Sequence, residues 1–147
     1  MAAAFVLLFG GMLAATVAQT GCAKTTGTGS NPAPPQVTVA LVNKTLADAD
    51  NTAVKAVIQL RAQGKVTVDE QTAILGYCKA AALFSNQVTT IITSADPWAT
   101  QRANLIAAGL AASLPPVSSV SPTAAAVIAQ VGVVFGQLKT LIGGLPQ

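Results

Sequence analysis

The 147-residue chain contains no histidine and few charged residues. Without histidine it lacks the commonest general base near neutral pH and the commonest metal ligand. Charged residues make up 9% of the chain and hydrophobic residues 52%, whereas intrinsic disorder requires high charge and few apolar groups. The composition therefore predicts a folded protein and argues against histidine-dependent catalysis.

Lysine and arginine are also sparse, and they never form a basic run. The chain has one tryptophan and one tyrosine, so it offers few rings on which nucleic-acid bases stack. A nucleic-acid surface combines clustered cations with such rings. We therefore expect no nucleic-acid partner, although the net charge is +3.

The few carboxylates do not form an evident catalytic or metal-binding set. Asp69 and Glu70 suit the first turn of a helix, where the positive helix end favours them. Asp48 and Asp50 are two residues apart and point to different sides of a helix, and Asp96 suits an N-cap. Because no serine has a plausible base, we expect the chain not to be an enzyme and to need no metal or other cofactor.

The N-terminal segment is uncharged as far as Ala23, and its apolar run extends from Ala2 to Ala18. A run of this length that ends in small residues is typical of a signal-peptide core. Gly21-Cys22-Ala23 follows it, and the whole segment resembles the signal of bacterial lipoproteins. In that family the signal is cut before the cysteine, whose thiol and new amino group are then acylated. The resemblance implies that Cys22 carries lipid.

Other interpretations of this segment remain open. Ordinary secretory cleavage would follow Thr16-Val17-Ala18, and an uncleaved segment would act as a membrane anchor. A buried helix of a cytosolic protein fits less well, because a linker follows the apolar run abruptly. If Cys22 is not acylated, it is able to form a disulfide with Cys78 in an oxidising compartment; otherwise we expect Cys78 to be a packed small hydrophobe.

The domain organisation follows from composition. Residues 1–21 are predicted to be a signal peptide or membrane anchor. Residues 22–36 are rich in Gly, Ser, Thr and Pro without hydrophobic periodicity, which predicts a flexible tether. Residues 37–147 carry four segments with helical periodicity and predict a small all-α, up-and-down bundle.

The second helical segment has the clearest pattern. Thr67 and Glu70 form a capping-box pattern at its start. Apolar residues then recur at alternating spacings of three and four, which predicts a packing seam. The predicted packing residues of this seam are Ile74, Tyr77, Ala81, Phe84, Val88 and Ile91.

The other three segments have their own start, stop and packing signals. The first carries an apolar stripe through Val42, Leu46, Ala49, Ala53, Val57 and Leu60 and ends at Gly64. The third starts at Asp96-Pro97, with an apolar line through Ala99, Ala103, Ile106, Leu110 and Leu114. The fourth runs from Ser121-Pro122 to Gly143-Gly144. Trp98 has two interpretations: an interfacial membrane anchor or a cover for the end of the bundle.

Gly132 and Gly136 of the fourth segment form a G-x-x-x-G pair, which predicts close helix packing either within the bundle or in lipid. The sequence therefore predicts a membrane-tethered helical lipoprotein of the bacterial cell envelope, on its periplasmic or outer face, with a structural or protein-interaction role. Its partners would be the membrane, through a lipid or anchor, and another protein or a second copy. The alternative is a small integral membrane protein, such as a phage or prophage protein of holin-like type, that uses the apolar C-terminal helices.

Overall fold

A computed structural model describes residues 34–117 and 120–146, which form four α-helices and no β-strand. The helices are α1 (Pro35–Ala62), α2 (Val68–Ile92), α3 (Trp98–Ala111) and α4 (Pro122–Gly143). The predicted small all-α bundle is thereby confirmed. The predicted signal segment, the lipidation residue Cys22 and the tether as far as residue 33 lie outside the described residues.

Local residues explain where α2 and α4 begin. The Thr67 hydroxyl accepts a hydrogen bond from the Glu70 amide at 3.1 Å, and the Glu70 carboxylate accepts one from the Thr67 amide at 2.8 Å. This reciprocal pair is the predicted capping box. The Ser121 side chain accepts from the Ala124 amide, and Pro122 occupies the first helical position, where no N–H is needed. Both predicted helix starts are confirmed.

The end of α1 depends on one glycine conformation. Gly64 has a φ of +69°, which glycine adopts without the steric cost that a Cβ brings. The Lys65 amide then donates to the Leu60 carbonyl at 2.9 Å, the backbone bond of a Schellman motif. Gly64 therefore ends α1, as predicted.

The start of α1 lies slightly earlier in the chain than composition alone indicates. Pro35 is its first residue, and the amides of Val37 and Thr38 donate to the Pro34 carbonyl at 2.8 and 3.3 Å. Proline suits the first helical position because its φ is already near the helical value. The helix therefore includes Pro35 and Gln36, which composition assigns to the tether.

Hydrogen bonds between helices give their directions. Asn43, near the start of α1, contacts Ser85 and Thr89 near the end of α2. Arg102, near the start of α3, donates to the Leu145 carbonyl just after α4. Each of these pairs of helices is thus antiparallel. α1 and α3 each pack against both α2 and α4.

The core contains side chains from all four helices. Phe84 of α2 and Phe135 of α4 meet with ring centroids 5.0 Å apart and planes tilted by 58°, a geometry that adds roughly 0.5–1.5 kcal/mol to the energy of area burial. The largest fully buried side chains are Leu46, Ile74, Leu105, Leu138 and Ile142.

The predicted apolar line of α3 is wrong at Ala99, Ala103 and Leu110, which are exposed. Leu110 is 82% exposed. The helix instead buries Gln101, Leu105, Ala108 and Gly109. The buried face is therefore displaced by one residue, or about 100° around the helix axis.

Packing against α4 accounts for this rotation. A Cβ placed on Gly109 would lie 3.2 Å from Cγ2 of Ile142, so α4 lies close to α3 at a position where α3 has no side chain. Periodicity cannot reveal this preference because the partner lies on another helix.

The predicted cap of α3 is also wrong. Pro97 is the N-cap and provides no side-chain hydrogen bond. The Asp96 carboxylate instead accepts a hydrogen bond from the Ser94 hydroxyl at 3.0 Å. This bond ties Asp96 to the preceding turn rather than to the amides of α3.

α3 has 14 residues, against 28, 25 and 22 in α1, α2 and α4. A connection to α4 follows, whose described residues, 112–117, 120 and 121, lie outside any helix. Within this connection Leu114, Val117 and Val120 are partly buried against the core. The connection therefore packs apolar side chains on the bundle where the short helix has already ended.

Candidate functional site

The predicted packing residues of α2 differ in burial. Ile74, Ala81, Phe84 and Val88 are buried, while Tyr77 and Ile91 are partly buried against the core. They follow α2 almost from end to end, so this helix contributes to the core along its whole length.

The two glycines of the G-x-x-x-G pair have different surroundings. A Cβ on Gly132 would lie 2.6 Å from the Tyr77 hydroxyl oxygen, whereas a Cβ on Gly136 would meet nothing within 4 Å. Gly132 therefore allows the Tyr77 hydroxyl to lie against α4. Gly136 lies on the exposed side of the same helix.

A polar feature that the sequence analysis does not predict lies on α1. Its buried residues include a series with alternating spacings of four and three: Val39, Asn43, Leu46, Asp50, Ala53 and Val57. Asn43 is 4% exposed and Asp50 is 8% exposed. The predicted stripe passes through Val42 and Ala49 and omits both polar residues. The alternation itself is the signal that identifies them, because it gives them the same heptad position, seven residues apart.

Asn43 connects α1 to the last third of α2. Its Nδ2 donates to Thr89 Oγ1 at 2.9 Å and to the Ser85 carbonyl at 3.1 Å. The Thr89 hydroxyl donates to the same carbonyl at 3.0 Å. Oδ1 of Asn43 has no hydrogen-bond partner among the described residues, and a buried acceptor of this kind costs about 1–3 kcal/mol.

Asp50 lies in the same interface and pairs with a thiol. Its carboxyl is hydrogen-bonded to Cys78, and its Oδ1 atom has no partner among the described residues. Burial raises the pKa of Asp50, and the bond from Cys78 offsets part of that rise. Because burial disfavours the charged form, the site favours a protonated carboxyl more than water does.

Cys78 is buried at 1% exposure, as expected for a packed small hydrophobe. Burial, the nearby Asp50 charge and the hydrogen bond to Asp50 together raise the pKa of its thiol to about 12. Burial and the neighbouring Cys78 also raise the pKa of Tyr77. The proposed disulfide partner, Cys22, lies outside the described residues.

These groups are poorly suited to covalent chemistry. A nucleophilic cysteine must reach the thiolate form in an accessible, electropositive setting, and a pKa of about 12 keeps the Cys78 thiol protonated at neutral pH. Across residues 34–117 and 120–146, no group of three or more Cys, Asp or Glu side chains is placed to hold a metal ion. The cluster of Asn43, Asp50 and Cys78 instead couples α1 to α2 through buried polar contacts.

Glu70 joins the starts of two helices. One carboxylate oxygen accepts from the Thr67 amide at 2.8 Å, and the other accepts from the Ser121 amide at 2.7 Å. The bonds from Thr67 and Ser121 lower the pKa of Glu70 to about 2, because they favour the charged carboxylate. The predicted capping box thus also fixes the residue that caps α4.

Gln101 performs a similar role at the other end of the bundle. Its Nε2 donates to the Ser94 and Asp96 carbonyls at 2.9 and 3.0 Å, and its Oε1 accepts from Gln36 Nε2 at 3.4 Å. The start of α3 is thereby joined to the turn before it and to the first turn of α1. Trp98, the first residue of α3, is partly buried against the core at this end.

An open groove of about 470 Å³ lies between α2 and α3. Its lining contains no charged residue and consists of Gln87, Thr90, Ile91, Asn104, Ala107, Ala108 and Ala111. It offers amide and hydroxyl groups beside small apolar ones. It contains no acid, base or thiol that would support catalysis.

Comparison of the chain with known protein families, with curated proteins and with solved structures gives no match.

Proposed function

We propose that the protein is an exported, membrane-tethered lipoprotein whose helical bundle has a structural or protein-interaction role in the bacterial cell envelope. The observation that carries the proposal is Gly21-Cys22-Ala23, placed directly after an apolar run of signal-peptide length. Acylation of Cys22 would leave residues 23–33 between the lipid and the bundle. A fully extended segment of that length spans roughly 40 Å, so the bundle would stay close to the membrane.

The chemistry of the bundle supports an interaction role over a catalytic one. The Cys78 thiol is buried and stays protonated at neutral pH. The groups that shift the pKa of the buried Asp50 carboxyl include no cation. The open groove has no charged residue in its lining. Large apolar side chains are exposed on all four helices, including Leu41 at 65%, Leu83 at 62%, Leu110 at 82% and Val133 at 60%. A surface with few charges and exposed apolar groups favours association with another protein or with a second copy.

Mass spectrometry of the mature protein tests lipidation. We expect an N-terminus at Cys22 that carries a lipid mass. Extraction of the cell envelope with alkaline carbonate should leave the protein in the membrane fraction, and Cys22→Ser should release it. An unmodified N-terminus at Gln19 would contradict the proposal and indicate ordinary secretory cleavage.

A second candidate is a small integral membrane protein. The observation that favours it is α4, the one helix among the described residues that is long and apolar enough to cross a membrane, with 33% of its most apolar window buried. In that case Cys22→Ser would remain in the membrane after carbonate extraction. Release of this variant would therefore argue against an integral protein and in favour of the lipid tether.

A further inference from the structure

One end of the bundle carries the single tryptophan of the chain, and we call it the Trp98 end. It consists of residues 34–37, 94–98 and 144–146. Two hydrogen bonds bring these segments together: Gln36 to Gln101, and Arg102 to the Leu145 carbonyl. Trp98, the only tryptophan of the chain, is partly buried here.

Exposed apolar side chains adjoin this end on α1. Val37 is 54% exposed, and Leu41, one helical turn further along the same face, is 65% exposed. The prolines Pro34, Pro97 and Pro146 are also exposed. The surface therefore combines aliphatic side chains with a tryptophan, the composition found where proteins meet the membrane–water interface.

The distribution of charge distinguishes the two ends. Asp96 is the only charged residue within the Trp98 end, and nearby Arg102 already donates to a backbone carbonyl. The opposite end, at the α1–α2 turn, carries Arg61, Lys65, Asp69 and Glu70. Fewer charges have to be desolvated when the Trp98 end approaches a lipid surface, so it is the end better suited to that contact.

The position at which the chain enters the bundle also favours contact between the Trp98 end and the membrane. Residues 23–33 join the proposed lipid site to Pro34, which opens α1 within the Trp98 end. A short tether keeps the start of the bundle at a high effective concentration near the membrane. A weak contact with the membrane would therefore be occupied once Cys22 is inserted, whereas the opposite end lies the length of α1 away, about 42 Å.

We propose that the Trp98 end rests on the lipid surface, with Val37, Leu41 and the edge of Trp98 among the headgroups. This inference depends on the proposed membrane tether. It adds an orientation: α2 and α4 stand with their C-terminal ends toward the membrane, and the charged α1–α2 turn points away from it.

The single tryptophan allows a direct test on the full-length protein purified from cell envelopes. The protein is mixed with vesicles of phosphatidylethanolamine and phosphatidylglycerol, either plain or brominated high on the acyl chains. Flotation reports attachment, and quenching of Trp98 emission reports contact with lipid. The test variant is Val37→Gln/Leu41→Gln. The matched control is Ile58→Gln/Val68→Gln at the opposite end, where the side chains are 52% and 57% exposed.

We expect the wild type and the control variant to float and to lose Trp98 emission with brominated lipid. The Val37→Gln/Leu41→Gln variant should still float, retain its circular dichroism spectrum and lose most of the quenching. Flotation without quenching in the wild type would overturn the orientation and leave the tether standing. Equal loss of quenching in both variants would also overturn the orientation. So would a loss of quenching that accompanies self-association of the protein. Failure of the wild type to float would refute the tether itself.

Discussion

Asp50 and Asp48 are close in sequence and differ in environment. Asp48 is exposed and pairs with Lys44 at 2.7 Å. Asp50 is buried, with a neutral thiol as its only identified hydrogen-bond partner. A buried carboxyl without a cation favours its protonated form, so this residue makes the stability of the fold depend on pH.

The sign of that dependence gives a prediction for Asp50. Its folded-state pKa is raised above the ordinary value of 3.8. Its contribution to stability is therefore fully present below 3.8 and is lost as the pH rises through the folded-state pKa. We expect the wild type to gain stability from this group as the pH falls from neutral, and Asp50→Asn to lack this gain. Urea unfolding followed by circular dichroism at several pH values measures it.

Asp48→Asn is the matched control for this prediction. It removes a carboxylate of an exposed ion pair, for which we expect a change of about 0–1 kcal/mol. It leaves Asp50 and Cys78 in place, so the pH dependence that comes from Asp50 should remain. If Asp50→Asn and Asp48→Asn had the same effect across the pH range, Asp50 would not be the source of the dependence.

The two glycines of α4 give a second prediction at the scale of single residues. Gly136→Ala should raise the free energy of unfolding by roughly 0.5–1 kcal/mol, because alanine favours helix and the added methyl group meets open space. Gly132→Ala should gain less or destabilise, since its methyl group would lie 2.6 Å from the Tyr77 hydroxyl oxygen.

Chemical denaturation and the near-ultraviolet absorbance of Tyr77, the only tyrosine, measure both effects. Gly132→Ala should change the tyrosine spectrum and Gly136→Ala should leave it unchanged. Equal stabilisation by both substitutions, with no spectral change, would show that Tyr77 does not pack against Gly132.

At the scale of the helix, the Glu70 carboxylate joins the starts of α2 and α4 by accepting hydrogen bonds from both N-cap residues. Thr67→Ala should cost about 1 kcal/mol by removing the cap of α2. Glu70→Ala should cost more, because it removes the acceptor of the Thr67 amide and that of the Ser121 amide together. Thr72→Ala is the control: this hydroxyl donates to a carbonyl within α2, and alanine is the better helix former.

Glu70 should lower the stability of the fold as the pH falls, which is opposite to the effect of Asp50. Its folded-state pKa is about 2, below the ordinary value of 4.5. The stability that it contributes is fully present above 4.5 and is lost as the pH falls toward 2. Acid unfolding should therefore begin below 4.5 in the wild type, and Glu70→Ala should be less stable near neutral pH but lose less on acidification. Parallel acid-unfolding curves for the two proteins would contradict this role.

Some features of the helices can be predicted from sequence and others cannot. The starts at Thr67 and Ser121-Pro122 and the stop at Gly64 follow from residues within one turn of each other, so the sequence predicts them. The face of α3 depends on Gly109 against Ile142, which belongs to another helix and leaves no periodic signal. The burial of Asn43 and Asp50 is not predicted for another reason, because polar residues are usually assigned to the solvated side of a helix.

The lipidation site could be predicted only from local sequence, and the structure does not describe it. The packing residues of α2 follow from their strict spacing, and most are buried. The bridge from Glu70 to Ser121 was not predictable, because the two residues are distant in sequence and each already has a local role as part of a helix cap.

For the whole molecule, the continuous core predicts cooperative unfolding. Phe84 is 4% exposed and meets Phe135 across the α2–α4 interface. Phe84→Ala should therefore cost on the order of 3 kcal/mol through lost transfer energy and a residual cavity. Its neighbour Leu83 is 62% exposed, so Leu83→Ala should change stability by no more than about 0.5 kcal/mol.

Thermal unfolding followed at the helix signal and at Trp98 measures this difference. The two probes should give one midpoint in each variant, shifted downward by Phe84→Ala and nearly unchanged by Leu83→Ala. Separate midpoints for the two probes would show that α3 unfolds independently of the α2–α4 contact.

The short length of α3 has a consequence for the exchange of backbone hydrogens. Beyond Ala111, the connection covers the core with Leu114 and Val117 but outside any helix. Lifting it away would expose apolar surface without breaking a helical turn, so this opening requires less free energy than global unfolding. In native-state hydrogen exchange, the amides of Ser113, Leu114 and Val117 should become deuterated well before those at the centres of α1, α2 and α4. The bundle would thus have one side that opens on its own while the rest stays folded.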